Sequence, residues 1–580
     1  MLARGDPKMA ERKKPDENKT NAKKVVIVGG VAGGASAAAR ARRLSEDAHI
    51  TLIERGNNIS FANCGLPYYI GGTIIERDNL LVQTPEKMFG WFNIDIRTQT
   101  EVIKIDRKAK EVIARNVLSH EETRIPYDAL VLSPGAAPIR PPIPGVESSK
   151  IHTLRNLADT DKIRNMCFEG DAQRAVVIGG GYVGLEMAEA FRDLDMEVTI
   201  VELLPQVMNT ADIELAHSLH KELKKHGVGL KLGTSATGFV EKDNALEVKL
   251  SDGSSIMCDI AILAIGVRPE TTLAKDAGLT IGDKGGIVVD EHMRTSDPDI
   301  YAVGDVVQTD HLISDQQMFI PLAGPANRQG RIAADNIFGR SSKYQKTQGT
   351  AICKVFDLAI GMTGLSEKAL VAEKIPYEKV YIYPFSHASY YPGACPMLLK
   401  VMFDPKSGKI LGAQAVGKDG IDKRIDVLAM AIRAGMTVFD LEHVELSYAP
   451  PFGSAKDPLN YAGFVASNII KGDMKPCHVA EIVANPEKFY LLDVRNRDEI
   501  EQTSLIPKAV NIPLGELRGK LDTLPKNKEI IVYCQVGLRA YIACRILSQK
   551  GFNARNLIGG YRAYRDWTGD PLPLDQKASP

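Results

Sequence analysis

Two strand–glycine–helix units constrain this chain more than any other feature. Lys24 opens KVVIVGGVAGGASAAARARRL, in which a short β-branched run turns on glycines into an alanine-rich helical stretch. The next apolar run, HITLIE, ends at Glu54. This order predicts a dinucleotide-binding unit, with glycines allowing the tight turn and the helix N-terminus facing a pyrophosphate. Gly29 and Gly34 hold the outer fingerprint positions, Val31 takes the middle one, and Gly30 and Gly33 supply close approach. A purely structural glycine turn is the other reading. The second unit, AVVIGGGYVGLEMAEAF, is cleaner, with Gly179, Gly181 and Gly184 between a strand and a helix. VTIVE then ends at Glu202, about 20 residues on, where an acid can bind ribose hydroxyls. A carboxylate there disfavours a 2′-phosphate, so NADH is expected over NADPH. An ordinary strand-end charge is the alternative for Glu202.

At 580 residues the chain is too long for one core, and its length suggests about four domains. Lys+Arg and Asp+Glu both number 72, so no polycation draws the chain to nucleic acid. Eight cysteines in a chain of this length, with no C-x-x-C pair, suggest neither a disulfide scaffold nor a zinc site. A reducing, cytoplasmic setting is expected. The first 23 residues are polar and read as a disordered tail without a secretory h-region. No apolar run is long enough to span a membrane.

The remaining elements follow in order. YDALVLSPGAAP reads as a strand and crossover, AILAIGVRPE as another strand and turn, and TSDPDIYAVGD places Asp305 just past a short strand. That order implies one nucleotide domain inserted into another. From about Thr350, AICKVF, AIGMTG, KVYIYPF, MLLKVMFD and KILGAQAVG read as antiparallel strands, and IDVLAMAIRAGM as an amphipathic helix. After a Pro/Gly-punctuated boundary, KFYLLDVR, AVNIP, EIIVYC and ARNLIGG suggest a small, separate α/β domain. The fold class is therefore α/β multidomain, with two Rossmann-like domains, an α+β domain and a C-terminal α/β domain.

SFANCGLPYYIGG around Cys64, the two glycine units and TSDPDIYAVGD together resemble the flavoprotein disulfide reductase superfamily, and within it the coenzyme A disulfide reductases. The C-terminal YCQVGLR resembles a rhodanese active loop. The arrangement is similar to fused CoA-disulfide/persulfide reductase–rhodanese proteins. That resemblance implies a tail at 1–23, a split FAD domain at 24–148 and 265–345, and an NAD(P)H domain at 149–264. It further implies a dimerisation domain at 346–470, a linker at 471–477 and a rhodanese-like domain at 478–575. It places FAD on Gly29–Gly34, Glu54 and Asp305, with Ala323 and Gly324 passing near the isoalloxazine. NAD(P)H falls to Gly179, Gly181, Gly184 and Glu202, with Glu186 near nicotinamide and flavin. Coenzyme A falls to Arg40, Arg43, Ser60 and Asn63. Arg40 and Arg43 share a helical face by i,i+3 spacing, and a solvated helix face is their alternative.

CGLPYYIG lacks the second cysteine of a C-x-x-x-x-C redox pair, so Cys64 must cycle through a mixed disulfide, a persulfide or a sulfenic acid. Related peroxidases and oxidases carry a histidine in the first glycine loop, where Ala32 stands here. Tyr390 and Tyr448 match family tyrosines contributed across a homodimer to the partner's thiol, with Tyr391 as a competitor for Tyr390. Core or interface packing is the other reading of both. In the last domain, loop amides and a helix N-terminus are expected to stabilise a Cys534 thiolate, with Arg539 closing the loop. Asp493 and Arg495 match another rhodanese motif, or form a core salt bridge. Cys167, Cys258, Cys353 and Cys544 read as packing residues, and Cys477 as an exposed linker thiol. No metal site is expected.

The implied activity is NADH-dependent, FAD-containing reduction of CoA persulfide, related low-molecular-weight persulfides or polysulfide, with the rhodanese domain handling sulfane sulfur. Primary CoA disulfide reduction is the alternative. An NADH oxidase or peroxidase and a persulfide-binding regulator stand behind it.

Overall fold

The computed structural model describes residues 22–168 and 172–569. The expected tail at 1–23 lies almost wholly outside them. Its last residue is already part of the fold, because Lys23 Nζ donates to the Ile337 carbonyl at 2.7 Å.

Lys24–Val28 is the middle of five parallel strands, ordered Ile300–Ala302, Ala129–Leu132, Lys24–Val28, His49–Ile53 and Asp95–Arg97. Arg174–Ile178 is likewise the middle of a second parallel sheet, ordered Gly229–Leu232, Glu197–Glu202, Arg174–Ile178, Ile260–Leu263 and Ile151–His152. Helices cover the faces of parallel sheets, which explains the near-continuous Val/Ile runs in both central strands. The two chain crossings between the units pair with each other, Ala136–Pro138 running antiparallel to Val267–Pro269. The second unit is therefore inserted into the first.

The third sheet is antiparallel, ordered Ala351–Val355, Leu358–Gly364, Ile410–Gly417, Met397–Phe403 and Glu378–Ile382. Met397–Phe403 is buried along its whole length, even at Lys400. A buried ammonium is tolerable only when paired. Lys400 Nζ meets Asp212 at 2.8 Å, and also Glu214 and Glu367. Asp212 and Glu214 belong to the second nucleotide unit, so this ionic cluster ties that unit to the antiparallel sheet.

The C-terminal sheet is parallel, ordered Pro476–Cys477, Ala554–Leu557, Ile530–Tyr533, Tyr490–Asp493 and Val510–Asn511. Two expectations are corrected here. Pro476 and Cys477 form an edge strand of this sheet rather than linker, and Cys477 is fully buried rather than exposed. A two-residue strand is too short to leave an apolar alternation in the sequence. The last described helix, Gly560–Thr568, packs on Ile213–Lys225 of the second nucleotide unit. Tyr383 Oη donates to the Asp566 carboxylate at 2.8 Å, and His217 Nδ1 lies 2.7 Å from the Asp566 carbonyl. Among the described residues, no helix is long and apolar enough to cross a membrane.

Candidate active site

The two glycine loops have nearly superposable wiring. Gly29 and Gly179 sit at φ 97° and 107°, a region open to glycine. A Cβ there would lie 2.0 Å from the Ser133 carbonyl oxygen or 2.4 Å from that of Ala264. Each loop is closed by the acid that ends the next strand. Gly30 N donates to Glu54 at 2.8 Å, and Gly180 N donates to Glu202 at 2.7 Å. The opposite carboxylate oxygens accept from Gly56 and Leu204. Both acids are thus fixed by backbone amides at the strand ends. Helices Ala32–Leu44 and Tyr182–Asp193 both start without a side-chain cap. Their first amides remain able to take an anion. At Gly181 a Cβ would meet nothing within 4 Å, so the second loop presents open backbone. Val31, the departure from the fingerprint, supplies the N-cap of the first helix.

Gly33 faces the helix Ala323–Ile337, where a Cβ on Gly330 would stand 2.2 Å from the Gly33 carbonyl oxygen. Ala323 and Gly324 open that helix and are exposed. Gln329 from its middle accepts from Gly304 N at 2.8 Å, which fixes the turn carrying Asp305. Burial pushes the Asp305 carboxyl up.

Cys64 occupies the short turn Asn63–Gly65, ahead of Leu66–Ile70. It is exposed, and all eight cysteines are free. Its thiol is pushed up, first by partial burial, then by the negative charges of Glu186 and Asp305. Glu186 and Asp305, both far from Cys64 in sequence, thus act on its thiol electrostatically. A backbone hydrogen bond to the sulfur opposes that rise. Glu186 is pushed up to about 7, chiefly by burial. Tyr68 donates to it at 3.3 Å.

The expected coenzyme A residues stand in different local settings. Arg40 is committed to Asp335 at 2.7 Å, whereas Arg43 is exposed. Arg42 between them is buried and donates to the carbonyls of Phe92 and Asn93 at 2.7 and 2.8 Å. Ser60 adopts φ 45°, and its amide donates to the Gly30 carbonyl at 2.8 Å. Asn63 is exposed beside Cys64. Tyr390 and Tyr448 do come together, with hydroxyls 3.1 Å apart and both rings exposed. Tyr391 instead packs edge-on against His387.

In the C-terminal domain, Cys534 ends the strand Ile530–Tyr533 and is buried. Gly537 N, at φ 107°, donates to its Sγ at 3.2 Å. Tyr561 N holds the Cys534 carbonyl at 2.8 Å. Arg539 pairs with Glu499, with one hydrogen bond of 2.7 Å. Its guanidinium is held charged first by Glu499 and also by Cys534. Asp493 and Arg495 form a fully buried ion pair at 2.6 Å, and Arg495 lies over the Tyr561 ring at 4.1 Å. That is a core brace for the domain. Sequence reasoning did not reach Tyr68, Gln329, Asp335 or Glu499. Tyr68 lies inside the Cys64 motif, but its partner, like those of the others, is distant in sequence.

The protein-family comparison matches residues 23–330 to the pyridine nucleotide-disulphide oxidoreductase model and 350–457 to its dimerisation domain. It matches 478–566 to the rhodanese-like domain. A coenzyme A disulfide reductase of Staphylococcus epidermidis is 35% identical over 444 residues, covering 76% of this chain and 99% of the relative. Reduced Bacillus anthracis CoADR-RHD superposes with a TM-score of 0.92 at 49% identity, over 95% of this chain and 99% of that one. A NAD-dependent persulfide reductase from A. fulgidus gives 0.87 at 39% identity, over 93% and 100%.

Proposed function

The chain belongs to the pyridine nucleotide-disulphide oxidoreductase family and carries a C-terminal rhodanese-like domain, and from that premise we propose that it is an NADH-dependent reductase of CoA persulfide and related persulfides. The observation that carries the reading is Cys64. It is an exposed free thiol with no second cysteine in its own motif, and it feels the charges of Glu186 from one nucleotide unit and Asp305 from the other. The family implies FAD and a pyridine nucleotide. The uncapped helix N-termini and amide-fixed acids fit two dinucleotides, FAD at Gly29–Gly34, Glu54 and Asp305, and NADH at Gly179–Gly184 and Glu202. When bound, FAD supplies two-electron transfer between the nicotinamide and the sulfur.

The chain's own residues do the sulfur chemistry. Cys64 thiolate attacks the outer sulfur of R–S–SH, forming Cys64–S–SH and releasing R–S⁻. Two electrons then cleave the Cys64 persulfide to the Cys64 thiolate and HS⁻, which balances sulfur, charge and protons. Tyr390 and Tyr448 present paired hydroxyls able to donate to a departing thiolate, and in this reading they serve the partner subunit of a homodimer. Arg43, Ser60 and Asn63 are the coenzyme A contacts, and Arg40 joins them if it leaves Asp335. Glu202, its oxygens already turned by amides, repels a 2′-phosphate and favours NADH. Cys534 carries sulfane sulfur, poised by Gly537 N and Arg539.

CoA disulfide reduction is the second reading, favoured by the staphylococcal relative. In it Cys64 forms a mixed disulfide with one CoA and releases the other. Anaerobic turnover with CoA persulfide, CoA disulfide and polysulfide, counting sulfide and NADH together, decides between them. One sulfide per NADH at the highest kcat/KM with CoA persulfide is expected. A higher kcat/KM with CoA disulfide selects the second reading. Faster flavin reduction by NADPH than by NADH overturns the role of Glu202.

A further inference from the structure

Tyr68 stands four residues after Cys64, on the short helix Leu66–Ile70 that follows the thiol. Its hydroxyl crosses to the second nucleotide unit and donates to Glu186 Oε1 at 3.3 Å. The helix is seated firmly enough to hold that reach. A Cβ on Gly71 would stand 2.8 Å from Ala190 Cα, so the thiol segment lies directly on the helix that carries Glu186. Arg164 lies over the Tyr69 ring at 4.4 Å and donates to the Tyr69 carbonyl. One hydroxyl therefore links the segment that bears the thiol to the acid that loads it electrostatically.

We propose that Tyr68 is a positioning residue for Glu186, its hydroxyl holding and aiming that carboxylate from the segment that carries Cys64. This rests on the reading of Cys64 as the reacting thiol.

The groups around Glu186 define the balance. Burial raises its carboxyl to about 7, Tyr68 opposes that rise, and Glu189, one turn along the same helix, adds to it. Glu189 is itself engaged by Lys354 and by Phe356 N. Cys353, from the adjoining antiparallel sheet, is buried beside both acids and is held as a neutral thiol, chiefly by burial. The charges of Glu186 and Asp305 both act on the Cys64 thiol. A hydrogen bond donated to a carboxylate favours the charged form. Loss of the Tyr68 hydroxyl therefore moves the Glu186 midpoint up. At neutral pH the acid beside Cys64 then becomes mostly neutral. Tyr68 is the one neighbour named here that favours the charged form by a direct hydrogen bond.

The test is a pH titration of FAD-loaded protein by infrared difference spectroscopy, reading the protonated-carboxyl stretch. It requires no turnover, so it stands apart from any failure of the reductase reading, which the anaerobic assay decides. The band assigned to Glu186 is the one absent from Glu186→Gln. Its midpoint near neutral pH should rise by about half a unit or more in Tyr68→Phe, which keeps the ring and drops the donor. Glu189→Gln should move it the other way, by removing a like charge. A midpoint unchanged in Tyr68→Phe overturns the proposal. So does a near-neutral carboxyl band that persists in Glu186→Gln.

Discussion

Cys64 and Cys534 are the same side chain in opposite surroundings. Cys64 is exposed on a short turn, and partial burial first, then the charges of Glu186 and Asp305, push its thiol up. Cys534 is buried at a strand end, receives the Gly537 amide at 3.2 Å and lies among the charges that act on Arg539. The rhodanese-type loop carries its anion-stabilising groups within its own domain. At Cys64 one backbone hydrogen bond favours the anion against two acids that come from different nucleotide units. One site is built by a loop of six residues, and the other by the assembly of domains.

The largest effect that separates them is Cys64→Ser. Persulfide and CoA disulfide reduction should fall by at least about 100-fold, with FAD content and flavin reduction by NADH retained. Turnover near wild type in the fully FAD-loaded variant would mean that Cys64 is not the reacting thiol. The mirror experiment is Cys534→Ser. Sulfur transfer from thiosulfate should disappear, while reduction of supplied CoA persulfide stays within about twofold of wild type. If both activities fall together, the two thiols act in series and the contrast between them is kinetic rather than functional.

The asymmetry also explains what could be read from sequence. The Cys534 loop, both glycine units and the five antiparallel strands are local patterns, legible in runs of five to twenty residues. Glu54 and Glu202 were legible too, because the strand–loop–helix–strand spacing fixes where the closing acid stands. The surroundings of Cys64 were not. Tyr68 meeting Glu186, and Gln329 fixing the Asp305 turn, depend on pairs separated by 118 and 25 residues. Arg40 shows the same limit from the other side. Its i,i+3 spacing with Arg43 was legible, but its capture by Asp335, 295 residues away, was not. Cys477 was misplaced because a two-residue edge strand leaves no periodicity to read.

A smaller effect tests whether the Cys64 site is completed from outside its own chain. Tyr390→Phe combined with Tyr448→Phe removes the paired hydroxyls 3.1 Å apart and should lower persulfide reduction by about tenfold. Once that loss is measured, exchanged heterodimers with Cys64→Ser chains should recover activity at one site. Purified heterodimers with no recovery count against assembly across the interface. Glu186→Gln probes the same site from within. Removing a negative neighbour lowers the thiol pKa, so more thiolate is present at neutral pH. Iodoacetamide should then label Cys64 faster by about fivefold at pH 7.5, read on the Cys64 peptide by mass spectrometry. A slower rate would mean that the carboxylate orients the thiol rather than opposing its ionisation.

The smallest expected change comes from Gly537→Ala. Gly537 holds φ 107° and ψ −23°, and its amide points at Cys534 Sγ. A Cβ there would meet its nearest neighbour, Gly559 N, at an ordinary 3.6 Å. Space is therefore not the obstacle. The cost is backbone strain of about 1–2 kcal/mol, and the chain can relieve it only by rotating the peptide that carries the donating N–H. Relief and catalysis are thus opposed at one bond. Sulfur transfer should fall by about threefold to tenfold as the amide leaves the sulfur, with a drop of a few degrees in the melting temperature of the C-terminal domain. Reduction of supplied persulfide should be unaffected, because in the proposed division of labour Cys64 takes its sulfur directly from the supplied persulfide. A variant that loses stability but keeps full sulfur transfer would show that Arg539 alone suffices to hold the Cys534 anion.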